Sequence, residues 1–138
     1  MTRTALRAVM PAMMFWAPAP AAADTEILGE EGFRALAEGQ TLWFEQGGVP
    51  FGAEQYFDGG RTLWRPEGGL CEYGIWYEQD GAICFVYENG TGPQCWQVLR
   101  RDGEVFARSL SDPSGLAELK MSRRDQQPLD CPGPSVGA

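Results

Sequence analysis

An all-β fold, an antiparallel meander closing into a small eight-stranded barrel behind one short helix, is what three features of this 138-residue chain predict. Short apolar or aromatic runs recur about every ten residues, the spacing of a β-sandwich or barrel. Asp-Gly and Asn-Gly pairs stand between several of those runs. Four cysteines, Cys71, Cys84, Cys95 and Cys131, all lie downstream of a segment built like an export signal, in a chain that contains no histidine.

The helix comes first. Residues 30–38 place Phe33 and Leu36, with Ala35 and Ala37, on one side, and Gly39 follows where a left-handed residue closes a helix. Strands are then expected at residues 41–45, 51–57, 62–65, 70–78, 82–88, 94–100, 104–110 and 116–121. The breaks between them include Gly47-Gly48, Asp58-Gly59-Gly60, Pro66-Glu67-Gly68-Gly69, Asp80-Gly81, Asn89-Gly90 and Asp102-Gly103. Asp-Gly and Asn-Gly signal hairpins because both central residues of the favoured tight turn carry positive φ. An eight-stranded antiparallel sheet with short loops curls and closes, since closure removes its exposed edges. The expected shape is lipocalin-like, with a two-sheet sandwich as the alternative.

Residues 1–23 read as a cleavable signal peptide. Arg3 and Arg7 give a positive start, residues 8–16 are apolar, and Ala21-Ala22-Ala23 offer small residues to a signal peptidase just before Asp24. Pro11 interrupts the apolar run, which falls well short of the ~20 residues that cross a bilayer, so no stable membrane anchor is expected. Residues 24–138 then form a single domain, periplasmic or secreted. Losing Arg3 and Arg7 moves the net charge from −8 to −10, which argues against nucleic acid or an anionic membrane surface as partner. The fourteen aromatic residues left supply the bulk of a core.

An oxidising destination turns four thiols into two disulfides. A two-residue turn at Asn89-Gly90 sets Cys84 opposite Cys95, although in a hydrogen-bonded pair, where side chains stand apart, with Pro93 removing a ladder donor beside them. A longer loop through Pro93 relieves both difficulties. The preferred connectivity is Cys84 with Cys95 and Cys71 with Cys131, one of three arrangements open to four cysteines.

These thiols do not suit a metal. Twelve, ten and thirty-five residues intervene between successive cysteines, without the close pairs of a zinc knuckle and without histidine to complete a ligand set. No cofactor motif is present. Ser109, Ser111 and Ser114 have no imidazole to activate them, and the one lysine of the chain, Lys120, reads as a solvated strand residue. Carboxylates on strands near aromatics, Glu45, Glu54, Glu72, Glu78 and Glu88, leave a glycoside hydrolase as a remote alternative, since such enzymes work through a carboxylate pair.

Trp64, Tyr73, Trp76, Tyr77, Phe85, Tyr87 and Trp96 fall on four successive expected strands and form the candidate ligand or partner surface. Core packing is the competing explanation. Both faces of the strand from Ile83 to Tyr87 are apolar, so alternation does not divide them.

Gly74-Ile75-Trp76-Tyr77, Gly81-Ala82-Ile83-Cys84, Tyr87-Glu88, Pro93-Gln94-Cys95-Trp96 and Arg101-Asp102-Gly103 together resemble small exported alphaproteobacterial proteins of the domain of unknown function 995 family. In that pattern a Gly-x-Trp strand precedes a hairpin carrying two cysteines, and no catalytic residues come with it. A looser similarity is to periplasmic inhibitors of secreted metalloproteases, lipocalin-like barrels in which residues 24–29 would be the trunk entering the protease. The chain thus reads as a non-catalytic exported envelope protein, a binding or interaction module for an envelope protein or small ligand. The protease inhibitor and the glycoside hydrolase are the alternatives.

Overall fold

Two-residue turns with positive φ at both central residues set the register of three hairpins. The computed structural model describes residue 1 and residues 10–20 and 24–131, so Arg3, Arg7 and Ala21 to Ala23, which carry the export reading, lie outside the described residues. The chain enters as β1 (Thr25–Ile27) and α1 (Glu30–Ala37). It continues as β2 (Thr41–Gln46), β3 (Val49–Tyr56), a 3-10 turn (Asp58–Gly60), β4 (Arg61–Pro66) and β5 (Glu72–Gln79). Strands β6 (Ala82–Tyr87), β7 (Gln94–Arg101), β8 (Glu104–Ser109) and β9 (Leu119–Asp125) complete it. Gly47-Gly48, Asp80-Gly81 and Asp102-Gly103 make the tight turns, with Asp80 and Asp102 both held at φ 52°. Each strand from β2 to β9 pairs antiparallel with the next, and β9 returns to β2, closing an eight-stranded barrel.

The hairpin cysteines pair as expected, by a different turn. Asn89-Gly90 is not a two-residue hairpin, because β6 ends at Tyr87 and β7 begins at Gln94, leaving residues 88–93 as a longer loop with Pro93 outside the ladder. Cys84 still faces Cys95 with Cα atoms 4.0 Å apart, the narrow, non-hydrogen-bonded class of pair, and the two are bridged.

Two other expectations need correction. The strand placed at residues 116–121 begins later, at Leu119, because Asp112 organises the loop before it: its carboxylate accepts from the Ser114 N–H at 3.1 Å and the Ala117 N–H at 2.9 Å. Leu116 is consequently exposed. Residues 24–29 are not a free trunk. β6 covers only the first half of that edge of β7, and β1 pairs with Leu99 to Arg101 beyond it, after which Leu28 is buried in the core.

α1 plugs one end of the barrel. Phe33, 2 % exposed, sets its ring edge-on to Tyr56, Trp76 and Phe85, and Leu36 and Ala37 are buried beside it while Ala35 faces solvent. Gly39 ends the helix at φ 74° and donates its N–H to the Tyr56 carbonyl, and Arg124 caps the Leu36 carbonyl at 2.8 Å. The C-terminal tail crosses the outside of β3 and β4. Thr41 donates its hydroxyl to the Gln127 carbonyl, Gln55 accepts from the Leu129 N–H, and Leu129 packs with Ala53 and Leu63 in a small second core. Cys71 and Cys131 pin this tail.

Both disulfides are of the kind an oxidising compartment sustains, and no described cysteine is free. No helix among the described residues is long and apolar enough to cross a membrane. Chain entropy assigns roughly 4 kcal/mol to a bridge across 60 residues and roughly 3 to one across 11. Cys71→Ser with Cys131→Ser is therefore expected to lower the urea midpoint more than Cys84→Ser with Cys95→Ser, as read by equilibrium unfolding.

Candidate functional site

Alternation along the strands sends one set of side chains into the barrel. Glu54 and Tyr56 of β3 lie directly across from Trp64 and Thr62 of β4, while Phe85 and Tyr87 of β6 and Trp96 and Val98 of β7 face them on the inner side. Among them is a cavity of about 140 Å³, bounded at one end by Phe33 and Leu36 of α1 and lined toward the other by Phe51, Trp64 and the exposed Gln94. An apolar cavity of roughly 150 Å³ accepts benzene, which gives the scale of what would fit.

Two strand glycines and one bulge shape this space. A Cβ on Gly52 would overlap the Trp64 ring and stand 2.7 Å from the Arg65 carbonyl, and a Cβ on Gly74 would stand 2.7 Å from the Tyr87 ring. Each glycine lets an aromatic ring lie across the neighbouring strand. Phe44 opposes Gly52 and Glu45 opposes Pro50, so Phe51 is an extra residue in β3. The bulge turns Phe51 into the lumen against Trp64, at 5.9 Å between ring centroids, where unbroken alternation from Glu54 and Tyr56 would have turned it out.

The chemistry of the lumen centres on Glu54, 4 % exposed. Its Oε1 accepts from the Tyr87 hydroxyl at 2.8 Å and its Oε2 from the Tyr56 hydroxyl at 3.2 Å. Burial pushes the Glu54 carboxyl up to about 7, against the pull of hydroxyls from Tyr87, Thr62 and Tyr56 that favours the carboxylate. The fully buried Thr62 oxygen contributes by proximity, since it makes no hydrogen bond of good geometry. Burial and the neighbouring Glu54 raise both tyrosines, so their hydroxyls stay protonated as donors.

The seven aromatic residues singled out in the sequence divide. Trp64, Phe85, Tyr87 and Trp96 line the cavity, and Trp76 is buried against Phe33 at the plugged end. Tyr73 and Tyr77 alternate to the outer face, Tyr73 half-exposed and Tyr77 beside Cys84. They do not join the site. Phe44, Phe51 and Tyr56 do, and the strand glycines are the signal in the sequence that marks where rings approach a backbone.

Of the other residues considered for chemistry, Glu72 lies across from Trp64 and bears on Tyr87, and the rest stand apart from this site. Glu78 accepts from the Gly81 N–H in its own hairpin turn, Glu88 is exposed in the loop, and Glu45 and Glu72 are half-buried. Ser109 and Ser111 bond each other, Ser114 bonds Asp112, and Lys120 pairs with Glu104. Among the described residues no three acids or cysteines converge as metal ligands. No family model matches the chain, and no curated protein or solved structure is significantly similar to it.

Because the folded Glu54 holds its proton to higher pH than the unfolded one, its contribution to stability is fully present below about pH 4.5 and is lost as pH rises through about 7. The loss is roughly 3 kcal/mol. Urea unfolding across that window is expected to show this decline in the wild type and a flatter profile in Glu54→Gln. Gly74→Ala is expected to cost about 1–3 kcal/mol by displacing the Tyr87 ring, measured the same way.

Proposed function

We propose that this protein is a non-catalytic binding module of the cell envelope, whose barrel lumen takes up a small, mainly apolar ligand. The single observation that carries the reading is the aromatic cavity with one buried polar group, Glu54, held by two tyrosine hydroxyls. That combination of apolar walls with a few fixed polar atoms is the usual make-up of a small-molecule site. It also suits the lipocalin-like shape expected from the sequence. Export to the periplasm or beyond follows from the signal-like residues 1–23 and agrees with the two disulfides. The likeness to the domain of unknown function 995 family rests on the Gly74 to Tyr77 strand and the Cys84–Cys95 hairpin, and it is part of the same proposal.

Neither alternative draws equal support. A trunk that enters a protease would have to peel β1 from β7 and pull Leu28 out of the core, so deleting residues 24–29 would damage the fold along with any inhibition. A retaining or inverting glycosidase needs a second carboxyl opposite the first. The hydroxyls of Tyr56 and Tyr87 hold Glu54, and the next carboxylate in its cross-strand row, Glu72, stands two strands away with Trp64 between them.

Calorimetric titration with benzene-sized probes (toluene, indole, benzyl alcohol), read in parallel by tryptophan fluorescence, tests the proposal. At least one probe is expected to bind with Kd below about 1 mM, and Ala107→Leu, which fills the lumen, is expected to weaken it roughly tenfold or more without lowering the melting temperature. Absence of binding by every probe, or binding that survives the filled lumen, overturns it.

A further inference from the structure

We propose that the lumen selects small organic ammonium ions, with Glu54 as the anion that recognises them. This rests on the lumen being the ligand site, and it names the class of ligand. Among the described residues nothing along the cavity wall offers Glu54 a counter-charge, since no lysine or arginine lines it. The cations near its two ends are already engaged: Arg34 pairs with Glu30 and Glu38, Arg65 donates to the Asp130 carbonyl, and Lys120 pairs with Glu104. A carboxyl buried without a cation is costly to keep, and an apolar residue would fill the same space without that cost. A ligand that brings the positive charge resolves the mismatch.

The surroundings of Glu54 are arranged for a cation and against an anion. Its oxygens each accept one tyrosine hydroxyl, which leaves further lone pairs free for N–H donors of a ligand. The Trp64 side chain is its direct cross-strand neighbour, and Tyr87 stacks on Phe85 with centroids 6.2 Å apart, so aromatic faces border the same space. Ring faces attract organic cations, most strongly where water is excluded. Folding has already stripped Glu54 of water and fixed its partners, so binding does not add the cost of dehydrating or ordering that carboxyl. An acidic surface outside, with a sequence pI near 4.5, draws cations toward the mouth.

Affinity for such a ligand follows the charge on Glu54. The groups facing it are Tyr56 on its own strand, Thr62 on β4 and Tyr87 on β6, with Glu72 on β5 acting through Tyr87. Both tyrosines stay neutral, so the switch is the Glu54 carboxyl, neutral below about 7 and anionic above it.

Calorimetry with benzylamine, benzyl alcohol and benzoate separates the possibilities, at about pH 8.5 and about pH 5.5, on either side of the Glu54 midpoint. At the higher pH benzylamine is expected to bind roughly tenfold or more tighter than benzyl alcohol, with benzoate weakest, and the preference is expected to shrink at the lower pH. Glu54→Gln is expected to abolish the preference of benzylamine over benzyl alcohol at the higher pH. Equal binding of amine and alcohol at the higher pH, or a preference unchanged by pH, overturns the proposal using wild-type protein alone. A preference that survives Glu54→Gln overturns it as well. In those cases bound benzyl alcohol leaves the lumen reading standing, whereas no binding by any probe at either pH overturns both.

Discussion

The pairing of β9 with both β2 and β8 is the constraint on which the rest of this structure depends. It converts a meander with two open edges into a closed wall, and α1 with Phe33 at its centre then plugs one end. Only inside such a wall is a glutamate on a strand deprived of water. The same residue on an open sheet would face solvent on one side and behave as an ordinary carboxylate. Closure is therefore what turns Glu54 from a surface acid into a group with a raised pKa and directional partners.

The outside and the inside of the barrel do different work. Covalent reinforcement lies on the outer face, where Cys84–Cys95 ties a hairpin and Cys71–Cys131 straps the tail over Ala53 and Leu63. The lumen carries no cross-link. It is shaped by omission and displacement instead: Gly52 and Gly74 leave room for the Trp64 and Tyr87 rings, and the extra residue in β3 sends Phe51 inward. Rigid walls and a hollow middle suit a protein that holds a small molecule through pre-placed groups.

Much of this was legible in the letters, and for physical reasons. Positive φ is tolerated at few residues, so Gly47-Gly48, Asp80-Gly81 and Asp102-Gly103 announced their turns, and the turns set the strands. Opposed cysteines across one hairpin announced their bridge. Asn89-Gly90 misled because the loop around it is longer than its local signal implies. β1 escaped notice because three residues carry too little pattern, and the far end of β9 because its second half, with Arg123 and Arg124, is polar. The inward and outward division of the aromatics needed the register and the bulge, since both faces of β6 are apolar. Glu54 was visible as one carboxylate among several. What distinguishes it is burial against Tyr56 and Tyr87, contacts that follow from closure.

Carbon-13 NMR titration of the glutamate side-chain carboxyls, with Glu54→Gln to assign the resonance, tests the central claim most directly. A Glu54 midpoint near 7, moving lower when benzylamine is present, is the outcome expected of a buried carboxyl awaiting a cation. A midpoint near the unperturbed value of about 4.3, indifferent to the amine, would contradict it.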